Sequence, residues 1–94
     1  MDIDDFRRSL NASDPPEGLG LALQALWWDA KGDWDRAHRC AMADTSADGA
    51  AVHAYLHRKE GDLSNAGYWY ARAGKPAAEG ALDAEWDALA HALL

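Results

Sequence analysis

The segment ALWWDAKGDWDRA occupies residues 25–37, and the related segment AYLHRKEGDLSNA occupies residues 54–66, 29 positions further along the chain. Both segments have alanine at each end and a Gly-Asp pair at the same place, residues 32–33 and 61–62. Glycine readily adopts the left-handed conformation that ends a helix, and aspartate is a preferred N-cap for the next helix. Because each junction is so short, the sequence predicts two related pairs of antiparallel helices.

The rest of the chain also favours helix over strand. Alanine makes up about a fifth of the residues, and the β-branched residues are Ile3, Thr45 and Val52 alone. Such a composition suits helices and disfavours sheets. Helix-breaking segments such as SDPPEG and ADTSAD divide the chain, so we expect an all-α fold of about six short helices. Their predicted ranges are about 2–11, 16–31, 34–43, 48–60, 63–73 and 77–93.

The two predicted hairpins share further positions. A small residue stands seven positions before each junction glycine, an alanine stands five after it, and Trp28 supplies an aromatic four before Gly32. Over about residues 19–76 this pattern resembles the tetratricopeptide (TPR) repeat, whose paired helices stack into an α-solenoid. The period of 29 is shorter than the family's, which is about 34 residues. Ala50 replaces the expected first-helix tryptophan, and His57 replaces the aromatic.

The resemblance implies one helical domain over residues 1–94 with two repeat units. Two such repeats rarely bury enough apolar surface alone, so we expect the terminal helices to act as caps. The last helix carries an apolar stripe that suits the core, and pairing with a second copy in a homodimer is the alternative. The units are expected at about 19–44 and 48–76, with caps at 2–11 and 77–93.

Charge and cysteine content limit the classes of function. The net charge is −7 and the isoelectric point about 4.8, which argues against binding to nucleic acid or to an anionic membrane surface. Cys40 is the only cysteine, so no internal disulfide is expected. The first residues lack the apolar core of a secretory signal, and no apolar run has membrane-spanning length. We expect a cytoplasmic protein.

His53 and His57 are four residues apart on a predicted helix, with Glu60 three residues further on. This spacing places the three side chains along one face, where two imidazoles and a carboxylate can bind a divalent metal or a small ligand. Zincin proteases also need a glutamate directly after the first histidine, and Ala54 stands there. The sequence therefore leaves two interpretations open: a metal or small-ligand site, with catalysis as one use of it, and a purely structural role.

The structural role rests on the repeat. The positions equivalent to His53, His57 and Glu60 in the first unit are occupied by Gln24, Trp28 and Lys31, none of which completes a metal site. These histidines would then pack between the helices of their hairpin. His38, Cys40 and His91 are interpreted as isolated residues. No constellation predicts a catalytic residue, and no cofactor is expected.

The TPR resemblance implies a non-enzymatic interaction module. It assigns Asp29, Tyr55, Arg58 and Lys59 to the groove side of the first helices, where basic groups would hold an acidic segment or a carboxylate of an unknown protein or peptide. In the YWY segment, Tyr68 shares the more polar helix side with Arg72. We therefore predict six contact residues: Asp29, Tyr55, Arg58, Lys59, Tyr68 and Arg72.

Overall fold

The computed structural model describes residues 1–94 and consists of six α-helices without any strand, which confirms the all-α class. The helices are named in chain order. They are α1 (Ile3–Ser9), α2 (Leu21–Ala30), α3 (Trp34–Ala43), α4 (Ala47–Lys59), α5 (Leu63–Ala73) and α6 (Leu82–Leu93). None of them is both long and apolar enough to cross a membrane.

Two helices begin later than the sequence predicts, and glycine is the reason in both cases. Helix α2 begins at Leu21 rather than near residue 16, because Gly18 has a φ of +84° and Gly20 is an extended N-cap. Helix α6 begins at Leu82 rather than near residue 77, since Gly80 has a φ of +87°. A positive φ does not continue a right-handed helix, so the segments before these glycines are irregular.

The two Gly-Asp junctions have matching local structures. Gly32 and Gly61 have φ values of +85° and +88°. The carboxylates of Asp33 and Asp62 accept hydrogen bonds from the backbone N–H three residues later, at 3.1 and 3.2 Å, and so cap α3 and α5. Helix α2 packs against α3, and α4 packs against α5.

Helix α4 is buried on all sides, and every residue from Gly49 to His57 is buried. It contacts α2, α3, α5 and α6. On one side Val52 and Leu56 are fully buried in the main apolar core, together with Leu26 and Trp27 of α2. On another side its histidines meet α3 and α5. The side of α4 that carries His53 and His57 and the more apolar side that carries Val52, Tyr55 and Leu56 are therefore both internal.

Helix α6 is attached by apolar and polar contacts. Trp86 is buried in the main core, where its ring stacks on Phe6 of α1 and its indole N–H donates to the Leu26 carbonyl at 3.0 Å. The Glu85 carboxylate accepts hydrogen bonds from Arg58 of α4, at 2.9 Å, and from the Tyr70 hydroxyl of α5. One carboxylate thus joins three helices.

Two helical glycines differ sharply in the space available for a side chain. A Cβ at Gly49 would lie 2.2 Å from the backbone oxygen of Asp44, whereas a Cβ at Gly67 would meet nothing within 4 Å. We expect Gly49→Ala to lower the free energy of unfolding by about 1–3 kcal/mol through the clash. Gly67→Ala should raise it by about 1 kcal/mol, because alanine is the better helix former. Urea denaturation measures both changes, and equal effects of the two substitutions would contradict this packing.

Candidate functional site: a buried histidine cluster

Three histidines from two helices meet inside the protein, and we call His38, His53 and His57 the histidine cluster. The Nε2 atoms of His38 and His53 are 2.9 Å apart, and one nitrogen of each ring lies within 4.8 Å of the others. His53 and His57 are 3% and 6% exposed, whereas His38 is only partly buried. The cluster therefore lies just beneath the surface, and His38 is its outermost member.

The chain assembles this cluster through the short connection between α3 and α4. His38 lies eight residues before Ser46 and His53 lies seven after it, so a tight reversal at Ser46 brings the two rings together. The Asp44 carboxylate holds the reversal by accepting hydrogen bonds from the backbone N–H and the hydroxyl of Ser46. His57 follows His53 by four residues on α4 and so joins the same face.

Two tryptophans hold the imidazole rings in place. The Trp34 ring stacks on His38 with centroids 4.9 Å apart, and its indole N–H donates to the Leu56 carbonyl at 2.9 Å. The Trp69 ring of α5 stacks on His53 with centroids 3.9 Å apart. Helices α3, α4 and α5 thus all contribute to the site, and flat apolar surfaces restrict the rotation of two of its rings.

His57 has polar partners on both nitrogens. Its Nδ1 lies 2.6 Å from Glu60 Oε1, and its Nε2 lies 3.3 Å from the side-chain amide nitrogen of Asn65. Because a carboxylate only accepts, Nδ1 carries the proton and donates to Glu60. In this tautomer Nε2 keeps its lone pair and accepts from the Asn65 amide. Glu60 therefore determines which nitrogen of His57 is available as an electron-pair donor.

Burial keeps two imidazoles uncharged. Removal from water, followed by the proximity of His38 and His57, lowers the pKa of His53 from 6.5 to about 4. Burial and the neighbouring His57 also lower the pKa of His38, although Glu60 and Asp35 oppose this shift. At neutral pH, one ring N–H of the His38–His53 pair donates to the lone pair of the other. The His38–His53 pair therefore presents uncharged imidazole nitrogens.

The interpretation of His38 as isolated is wrong, because the α3–α4 reversal brings it to His53. Two features of the sequence could have placed His38 in the cluster. His38 and His53 are almost equally far from Ser46, and His38 lies four residues after Trp34 on the apolar side of α3. The predicted grouping of His53, His57 and Glu60 is close in space. However, Glu60 contacts His57 Nδ1, while the other nitrogen of that ring, Nε2, faces Asn65. Cys40 is partly buried, and His91 is exposed on α6.

Three of the six predicted contact residues form one polar group. Asp29 is 4% exposed, and its carboxylate accepts hydrogen bonds from the Tyr55 hydroxyl at 2.7 Å and from the Lys59 ammonium at 2.9 Å. Burial, with the Asp29 hydrogen bond, raises the pKa of Tyr55, which stays protonated as a donor. These residues line a groove of about 570 Å³, together with Arg7, Leu10, Ala30, Asp83, Trp86 and Asp87. We call it the α2–α4 groove.

The other three predicted contact residues lie elsewhere. The Arg58 side chain is only 16% exposed, and its guanidinium donates to Glu85 and to the Gly80 carbonyl, so it holds α6 in place. Tyr68 and Arg72 are exposed together on α5, where the guanidinium donates to the Tyr68 hydroxyl at 3.3 Å. The six residues therefore occupy three separate places.

The chain has no significant match among protein-family models, curated proteins or solved structures.

The lowered pKa of His53 predicts a dependence of stability on acid. The unfolded chain protonates this imidazole near pH 6.5, whereas the folded protein resists protonation until about pH 4. In this range the unfolded state binds more protons, so the contribution of His53 to the free energy of unfolding is expected to fall as the pH drops and to be constant above this range. Urea denaturation at several pH values, with a metal chelator present, measures the slope.

Two matched variants separate His53 from the carboxylates, which also titrate in acid. His53→Gln is expected to reduce the slope between about pH 6.5 and pH 4 because it removes the titrating ring. His91→Gln, at an exposed position, should retain the wild-type slope. Identical slopes for wild type and the His53 variant would show that burial does not keep this imidazole uncharged.

Proposed function

We propose that the chain is a non-enzymatic, TPR-like interaction module that binds a protein or peptide partner. Two helix pairs with matching Gly-Asp junctions support the repeat interpretation, with α1 and α6 as caps. The observation that carries the proposal is the common position of Asp29, Tyr55 and Lys59 in the α2–α4 groove. The free thiol of Cys40 suits a cytoplasmic location, which we also propose.

Lys59 is the group in the α2–α4 groove best suited to hold a partner. An ammonium has three N–H donors, and Asp29 takes one of them, so the others are free for a ligand. The side chain is 40% exposed at the groove, and the bond to the buried Asp29 fixes its direction. A carboxylate of the partner would form charge-assisted hydrogen bonds with it.

The other charges of the groove narrow the class of partner. Arg7 contributes a second cation, but it forms an ion pair with Asp87, and Asp83 adds another negative charge nearby. A purely acidic peptide would be repelled by these aspartates. The groove suits a peptide that carries a carboxylate, such as a free C-terminus, together with a basic residue. Apolar side chains of the same peptide would contact Leu10 and Trp86.

Binding of peptides with free C-termini tests this function. Peptides are selected on the wild-type protein from a library displayed with free C-termini, and their affinities are measured by fluorescence polarisation. We expect Lys59→Gln to weaken the selected peptides about tenfold or more, since a charge-assisted hydrogen bond contributes about 1.5–3 kcal/mol. Amidation of the peptide C-terminus should have a similar effect.

Lys75→Gln is the matched control, because Lys75 is exposed outside this groove and the same charge is lost. It should leave the affinities unchanged. Thermal unfolding of the Lys59 variant checks that the fold persists once Asp29 loses its cation. Peptides that bind equally to wild type and to a folded Lys59→Gln variant would rule out the groove as the binding site. If the partner is instead a second copy of this chain, light scattering would show a dimer.

A further inference from the structure

The histidine cluster does not line the α2–α4 groove, although it is the most unusual chemistry in the chain. The repeat pattern does not place imidazoles at equivalent positions of the two helix pairs. The first pair has Gln24 and Trp28 where α4 has His53 and His57, and the second pair has Gly67 where α3 has His38. The repeat itself thus does not explain why three histidines meet. We propose that His38, His53 and His57 bind a divalent transition metal ion, for which Zn²⁺ is the best fit.

The distances suit an ion bound by three imidazoles. In a tetrahedral zinc site with Zn–N bonds of about 2.0–2.1 Å, neighbouring nitrogens are about 3.3–3.4 Å apart. The Nε2 atoms of His38 and His53 are 2.9 Å apart, and all three donor nitrogens lie within 4.8 Å of one another. An ion would replace the hydrogen bond between His38 and His53, and the ring that carries its proton on Nε2 would carry it on Nδ1 instead. The two Nε2 atoms would separate by about 0.4 Å and both rings would turn so that their lone pairs converge, while the His57 nitrogen would move closer to them.

The donor state of the rings also suits a metal. Neutral imidazole is the form that binds a metal ion, and burial lowers the pKa of both His53 and His38, which favours that form. The Nδ1 of His57 donates to Glu60, which leaves Nε2 as the nitrogen that binds. The ion would displace the amide of Asn65 from this lone pair, a weak contact at 3.3 Å.

Glu60 acts as a positioning residue in this site. A carboxylate that accepts from the remote N–H of a liganding histidine fixes the tautomer and makes the ring a stronger donor. The 2.6 Å contact from His57 Nδ1 to Glu60 has this arrangement, with Trp34 and Trp69 restricting the other two rings. The ligand set therefore differs from the grouping of His53, His57 and Glu60 that the sequence indicates, since His38 supplies the third donor. Three protein ligands leave one tetrahedral position for water.

Metal titration of untagged protein tests the site. The protein is stripped with a chelator and exchanged into metal-free buffer, and Zn²⁺ is titrated in competition with a chromogenic chelator. Co²⁺ is added separately to report the ligand geometry by its visible absorption. We expect one ion per chain, a visible Co²⁺ spectrum of the tetrahedral type, and a higher melting temperature with Zn²⁺. Binding of less than one ion per chain with saturating Zn²⁺ would overturn the proposal.

Variants identify the ligands. His38→Gln and His53→Gln are each expected to weaken Zn²⁺ by at least a hundredfold, and glutamine is the residue that the first helix pair tolerates at the position of His53. His91→Gln is the matched control and should bind as wild type, because His91 is exposed on α6. Circular dichroism of the metal-free variants checks the fold. Unchanged affinity in a folded His38 variant would contradict the three-histidine set.

Glu60→Gln separates positioning from ligation. Because Glu60 is a partner of His57 and not a ligand, Glu60→Gln should weaken Zn²⁺ binding by about 10–100-fold. One ion should still bind, and the Co²⁺ spectrum should keep its shape. If Glu60 were itself a ligand in place of His38, its replacement would abolish binding and His38→Gln would have no effect. That pair of results would overturn the proposed site.

Discussion

The burial of α4 on every side is the constraint on which the rest of the structure depends. A helix with an apolar face on a core normally turns a polar face to water, but α4 is covered from Gly49 to His57. Its apolar side chains stabilise the main core through Val52 and Leu56. Its polar side chains must find partners inside the protein, since unpaired buried polar groups are costly. The histidine cluster and the Tyr55–Asp29 pair are the two solutions that the sequence supplies.

These two polar groups lie on α4 but belong to different neighbours. Tyr55 and Lys59 reach Asp29 of α2, whereas His53 and His57 reach His38 of α3 and Trp69 of α5. The proposed partner groove and the proposed metal site therefore share a helix backbone without sharing side chains. Every buried side-chain nitrogen and oxygen in the protein has a hydrogen-bond partner. Because the two groups share no side chain, a substitution in one should leave the hydrogen bonds of the other in place.

Much of the fold follows from local signals in the sequence. The Gly-Asp junctions predict where α3 and α5 begin, because glycine and aspartate act on the backbone directly around them. The sequence does not predict the starts of α2 and α6 correctly. Gly18 and Gly20 before α2, and Gly80 before α6, interrupt segments whose other residues favour helix. Local signals do not predict that the histidine side and the apolar side of α4 are both internal, because this depends on how many neighbours cover the helix.

The candidate site is predictable only in part for the same reason. The spacing of His53 and His57 follows from helix geometry alone, so the sequence indicates them together. His38 belongs to another helix, and its distance to His53 depends on how the chain reverses at Ser46. The role of Arg58 is missed as well, because its partner Glu85 lies 27 residues away and only the packing of α6 brings them together.

The reversal between α3 and α4 also limits the insertions and deletions that this connection can accept. Surface connections usually accept insertions and deletions easily, because little depends on their length. Here three residues, Asp44 to Ser46, set the register of two facing helices, and Gly49 allows the chain to pass closely over Asp44. One added residue would shift His38 along α3 relative to His53 or twist it away from the cluster. The length of this loop is therefore as much a part of the site as the histidines are.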